Sequence, residues 1–241
     1  MTLATGPVFV EGAERGDIIQ VKILDIALSD KGVGVTNPGW GVLGDMIKKP
    51  TTIVFTKVEN KFFGFRGINI PARPMIGVIG VAPLEGEISS GLPGRHGGNM
   101  DTKDITEGST LSLPVSQKGG LLALGDCHAI MGDGEIASGG EISAEVVVKV
   151  DVIKNKKIEW PLVETKDYTM VIVSAENAAK EASKQAVDLL SKGLGLSWDE
   201  ALILVSLAVD LKISQICNTP VTIGAAIPKS IISTHKLIEA C

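Results

Sequence analysis

In the run EISAEVVVKVDVI, Glu141 to Ile153, Val146, Val148, Val150 and Val152 interleave with Glu145, Lys149 and Asp151. A helix would spread those valines around its circumference, whereas a strand gathers them on one face, so the run reads as a half-buried antiparallel strand. Antiparallel neighbours must then exist elsewhere in the chain. Val8 to Val10, Ile18 to Leu28, Gly32 to Thr36, Ser109 to Val115 and Leu121 to Leu124 have the β-branched content for them. Thr52 to Val58 and Phe62 to Ile70 predict a hairpin around Glu59-Asn60-Lys61, and Pro71 to Pro83 a buried strand between prolines. Asn37 to Asp45 is a Pro- and Gly-rich loop in which Trp40 caps a core or lines a pocket.

Composition shifts at Ser174. Ser174 suits an N-cap, and Ala178, Ala182, Ala186 and Leu190 follow at helical spacing up to Gly193. Ser197-Trp198-Asp199-Glu200 is a capping box opening a second helix through ALILVSLAVDLK. That helix is apolar over most of its circumference, which predicts burial between layers or in a dimer contact. Ile213 to Cys217 and Val221 to Ile227 end the chain as strands. The β-rich part is expected to run over 1–165, with an α+β portion at 166–241 packed on it.

The net charge of −5 and a pI near 5.3 exclude a typical nucleic-acid surface, which needs clustered Lys and Arg. MTLATGPVF lacks a signal peptide's pattern, and the apolar runs fall short of a membrane span. A soluble, cytoplasmic protein is expected. Cys127, Cys217 and Cys241 are odd in number and widely separated, as reduced thiols would be.

Two glycine-rich segments carry the chemistry. Gly125 to Glu135, GDCHAIMGDGE, holds Asp126, His128, Asp133 and Glu135 directly after an apolar run. If extended, it points Asp126 and His128 one way and Cys127 the other, and the same parity pairs Asp133 with Glu135. A reversal near Met131 and Gly132 would bring both pairs into one volume, where clustered carboxylates need protonation, a cation or solvent. Glu85 to Asp101 is read as a long loop in which His96 precedes Gly97, Gly98, Asn99 and Asp101. Two of the three histidines therefore sit beside acids in glycine-rich sequence, a donor set suited to zinc and related divalent ions. His235 is expected to have no role. Structural turns account for each segment taken alone, and a Cys127 thiolate beside His128 is a competing nucleophile.

ATGPVFVEGAERGD (from Ala4), RPMIGVIGVAP (from Arg73), PGRHGGNMD (from Pro93) and LLALGDCHAIMGDGE (from Leu121), in that order, resemble the acetamidase/formamidase family. The resemblance spans about Ala4 to Pro228. It implies hydrolysis of formamide or acetamide to the carboxylate and ammonia. It also implies a mainly β fold, a jelly-roll-like β-sandwich with the two-helix α+β portion, assembled as a homo-oligomer such as a dimer. Divalent metal, zinc first and calcium as the alternative, is implied in some members. Family signatures fall on His96, Gly97, Gly98, Asn99 and Asp101, and on Asp126, His128, Asp133, Gly134 and Glu135. Members carry a further β segment ahead of Ala4, so a ligand from that segment would lie outside this sequence.

On that basis His96, Asp101, Asp126 and His128 form the expected metal-ligand pool, with Glu135 or Asp133 as general base. Asn99 and the amides of Gly97 and Gly98 are candidates to hold the oxyanion. A metal-binding structural or regulatory subunit without turnover is the alternative.

Overall fold

The computed structural model describes residues 3–58 and 61–241, so Glu59 and Asn60 of the expected hairpin turn lie outside the described residues. The protein is mainly β. Its first half holds β1 (Ala4–Val8), β2 (Ile18–Thr36), β3 (Thr51–Val58), β4 (Phe62–Phe65), β5 (Ile68–Pro71), β6 (Met75–Gly80) and β7 (Gly97–Asn99). β8 (Thr110–Pro114), β9 (Leu122–His128), β10 (Glu141–Ile153), β11 (Leu162–Glu164) and β12 (Tyr168–Ser174) follow. The last part contains α1 (Ala178–Leu194), α2 (Trp198–Ala208), β13 (Asp210–Gln215), β14 (Thr222–Pro228) and α3 (Thr234–Glu239).

The strands form one curled antiparallel sheet in the order β13-β14-β12-β11-β8-β2-β10-β9-β6-β7. β1 pairs with β9, while β3, β4 and β5 branch from β2. β10 is the alternating strand of the sequence, and its even-numbered valines lie half-buried on the main core. Its long partner β2 runs unbroken through Asp30, because β10 pairs up to Glu141↔Val33 and β3 pairs from Lys31↔Thr56. The break expected between Leu28 and Gly32 is absorbed by bulges in β2, which has the extra residues both between Ile142↔Gly32 and Ala144↔Leu28 and between Val147↔Asp25 and Val148↔Ile23.

The main core gathers Ile19, Val21 and Ile23 of β2 with Ile76 and Ile79 of β6 and Leu111 and Leu113 of β8. A second core lies where α1 covers β12 and β14, with Ala178, Ala182, Ala186 and Leu190 facing the sheet at helical spacing. α1 begins after Asn177, three residues beyond the expected Ser174, and closes on Gly195 in the left-handed conformation. The capping box at Ser197 and Glu200 is formed as the sequence requires. α2 then stops at Ala208, since Asp210 to Lys212 pair with β14 instead of continuing the helix. Ala201 and Val205 are its buried residues, whereas Leu202, Ile203 and Leu207 are exposed on the single chain. A third helix, α3, carries His235.

Candidate functional site

The site begins with a register. β9 lies between β6 and β10, with Met75↔His128 and Ile76↔Cys127 on one side and Glu141↔His128 on the other. His128 is therefore held between two strands and buried, at 1% exposure. Gly77 comes opposite Asp126 in the same register. A Cβ there would stand 2.5 Å from Asp101 Oδ1 and 3.0 Å from Asp126 Oδ2, so the missing side chain is the space in which two carboxylates approach.

Asp101 arrives from the end of β7, its N–H donated to Gly77 O at 3.2 Å and its φ at +41°. Asp126 has a φ of +55° within β9. Asp126 and His128 still turn to one side and Cys127 to the core, as parity requires. Burial pushes the Cys127 thiol up to about 11, which leaves it protonated at neutral pH. Glu135 returns to the same volume after a turn in which its N–H is donated to Gly132 O at 3.2 Å. Gly134 and Glu135 both have positive φ, and this breaks the alternation on which Asp133 was paired with Glu135. Asp133 is left exposed, 3.2 Å from Lys103 Nζ.

Two groups of ligand atoms result, and they share one imidazole. Asp101, His128 and Glu135 form the first, Asp126, His128 and Glu141 the second, with the ligand atoms of each within 4.8 Å of one another. His128 Nε2 lies 3.1 Å from Glu141 Oε1, off the line of a good hydrogen bond. Both ring nitrogens of His128, Asp101 Oδ1 and Asn99 Oδ1 are buried without a hydrogen-bond partner. Unpaired polar atoms cost about 1–3 kcal/mol each in a folded interior, so a buried cluster of them points to something that binds there.

Four carboxylates surround a single positive partner. Burial raises Asp101 well above the usual carboxylate range, with the charge of Glu135 adding to it. Burial, then the charge of Glu141, raises Asp126 to about 7. Burial also raises Glu135. Glu141 is lowered: burial opposes this, and the contact with His128 outweighs it. Burial alone would lower His128, but Glu141, Asp101 and Glu135 raise it to about 9. The cluster thus holds protons where a cation would otherwise balance the charge. One imidazole nitrogen with several carboxylate oxygens suits zinc and is compatible with harder divalent ions. By this test the residues fit a divalent cation.

His96 belongs to neither group. Its ring is held between Gly94 and Gly98, and burial lowers its pKa. It lines a separate cavity of about 890 Å³ with Arg15, Arg95, Lys157 and Glu159. Gly97 and Gly98 are buried against β6, where a Cβ would meet Ile79 O and Leu92 O respectively at 2.3 Å. The Gly97 N–H is donated to Gly94 O at 3.1 Å. Gly97 to Asn99 thus brings a short edge strand to a stretch expected to be wholly loop.

A cavity of about 590 Å³ opens onto Asp126 and Glu141, walled by Trp40, Ser138, Cys217 and Asn218. Glu141 and Cys217 were not anticipated as site residues. Glu141 is the first residue of the most recognisable strand, but its cross-strand partner is invisible in sequence. Cys217 donates its S–H to Glu135 Oε2 at 3.2 Å, across 82 positions of chain. Burial, followed by the charge of Glu135, raises its pKa far above the usual thiol range.

The chain matches the model of the "Acetamidase/Formamidase family" over residues 2–90 and 87–234. Its structure is similar to an acetamidase of Bacillus halodurans, with 45% identity and a TM-score of 0.91 over 94% of this chain and 78% of that one. A predicted acetamidase/formamidase of the thermophile Thermoanaerobacter tengcongensis is similar at 42% identity and a TM-score of 0.93, over 97% and 79%. In sequence it is 26% identical to a formamidase of Methylophilus methylotrophus, over 90% of this chain and 73% of the relative. Against an acetamidase of Mycolicibacterium smegmatis, 28% identical, it spans about half of the relative's length, 53%. The chain belongs to the acetamidase/formamidase family of amide hydrolases.

Proposed function

We propose that the protein hydrolyses a short aliphatic amide, formamide or acetamide, to the carboxylate and ammonia, in the cavity bounded by Trp40, Asp126, Glu141 and Cys217. The observation that carries this reading is the pair of acid–imidazole groups meeting at His128, with Asp101 Oδ1 and both imidazole nitrogens buried without a partner. The names of the relatives support the substrate class.

His128, with Asp101 or Asp126, would hold a divalent cation, zinc before calcium. Such an ion supplies Lewis acidity and lowers the pKa of water from about 15.7 towards about 7. Glu135 would accept the proton of the attacking water and return it to the departing amine, because burial brings its pKa closer to neutrality. Glu141 would keep the imidazole oriented from the opposite strand. The exposed apolar residues Leu202, Ile203 and Leu207 of α2 support a homodimer.

Ammonia release from formamide and acetamide by the pure protein, before and after chelation and with zinc or calcium restored, tests the reading. Turnover lost on chelation and restored by metal is expected. Metal bound in full without ammonia from either amide would overturn it in favour of a metal-binding subunit.

A further inference from the structure

Glu135 is fixed by one donor close to it in sequence and one far from it. Gly139 N–H is donated to its Oε1 at 2.7 Å, and the Cys217 thiol to its Oε2 at 3.2 Å. Asn218 Nδ2 in turn donates to Cys217 Sγ at 3.3 Å, and of the two acceptors within reach of the S–H, Glu135 Oε2 at 3.2 Å is nearer than Gln215 Oε1 at 3.6 Å. Behind them stands Gln215, fully buried at 0% exposure. Its Oε1 accepts the Asn218 N–H at 2.8 Å, and its Nε2 donates to Pro220 O at 2.9 Å and Thr222 Oγ1 at 3.0 Å. Two backbone hydrogen bonds stitch this segment to the one bearing Glu135, Gly134 N–H to Ser214 O at 3.1 Å and Ile216 N–H to Gly134 O at 2.8 Å.

From this geometry we infer that Cys217 is a positioning residue for the reaction, its thiol serving as a neutral hydrogen-bond donor that aims the Glu135 carboxylate into the site. The inference rests on the proposed amidase reading for its kinetic consequence, but not for its structural one. A carboxylate with one oxygen released is free to rotate, and outer partners of this kind typically change metal affinity or activity by roughly 10–100-fold. A hydroxyl can make the same donation, whereas a methyl cannot. Cys127 is not equivalent, since it lies on the core face of β9.

The test compares Cys217→Ala with Cys217→Ser in the full chain, after thermal melts confirm that both fold. For Cys217→Ala, kcat for formamide should fall roughly 10–100-fold with KM nearly unchanged, and zinc affinity measured by titration calorimetry should weaken over the same range. Cys217→Ser should stay within about threefold of the parent in both. Crystal structures should show Glu135 turned or in several rotamers in the alanine variant alone. Parent-like kinetics and zinc affinity for Cys217→Ala would overturn the inference. So would a serine variant as impaired as the alanine one, which would mark the thiol as a nucleophile or a packing group. If the parent hydrolyses neither amide, the proposed function fails, and the zinc titrations and the Glu135 rotamers still decide the role of Cys217.

Discussion

Gly139 lies flat against the imidazole of His128: a Cβ at that position would stand 2.6 Å from Nδ1 and 2.7 Å from Cε1. The ring has no room to retreat, because its strand is paired to β6 and β10 at that residue. Glycine is needed here for close approach rather than for backbone freedom. In Gly139→Ala the imidazole must shift by a few tenths of an ångström to one ångström, and errors of that size cost about 100-fold in turnover. Formamide turnover should fall by about that factor, with a stability loss of about 1–3 kcal/mol from overpacking. Ammonia assays and thermal melts check both numbers.

The two histidines should behave differently towards metal. His128→Ala removes the group shared by both acid clusters and is expected to abolish metal retention through dialysis, and turnover with it. His96→Ala should keep the parent metal content, since His96 stands with Arg15 and Glu159 in another cavity. Asp133→Asn, which alters a pair between the exposed Asp133 and the half-buried Lys103, should leave turnover within about threefold. Elemental analysis after dialysis reads the first two and kinetics the third. Metal lost from His96→Ala and kept by His128→Ala would reverse the assignment.

Trp40 is half exposed, at 55%, and walls the cavity above Asp126 and Glu141. Trp40→Ala should raise KM for formamide several-fold and change kcat less, because the indole walls the cavity and belongs to neither acid–imidazole group. The melting temperature should move little, as exposed side chains contribute about 0.5 kcal/mol or less. Steady-state kinetics on formamide and acetamide measure the effect.

Acid stability should depend on Asp17. Its buried carboxylate accepts from Glu14 N–H at 2.8 Å and Asn155 N–H at 2.9 Å, and pairs with Lys154. Burial works to raise its pKa, and these donors together hold it below the ordinary value of 3.8. A depressed folded pKa stabilises above the unfolded value, and that stability is lost as pH falls through the folded one. Asp17→Asn should cost about 1–3 kcal/mol at pH 7. The gap from the parent should narrow below about pH 4 in denaturant titrations.

Local rules carried much of the fold. The alternation of β10, the spacing of α1 and the Ser197 capping box all depend on neighbours within one turn or one pleat. Parity likewise put Asp126 and His128 on one side and Cys127 on the other. It failed at Asp133 and Glu135, where positive φ at Gly134 and Glu135 breaks the alternation the argument needed. Glu141 and Cys217 were illegible for a different reason. Each meets the site through pairing of distant segments, β10 with β9 and β13 with the turn before Glu135, and no local pattern encodes a register. The apolar sequence of α2 is partly accounted for within the single chain, where Ala201 and Val205 are buried while Leu202, Ile203 and Leu207 are exposed, because its surroundings, not its composition, decide which of its sides is covered.

The bond network around Gln215 has a bearing on when the protein becomes competent during synthesis. Glu135 leaves the ribosome some eighty residues ahead of Cys217, the thiol that meets its carboxylate. A chain that ends before β13 lacks the Cys217 donor to Glu135 and both hydrogen bonds between Gly134 and Ser214 or Ile216, so this side of the site is complete only once β13 is in place.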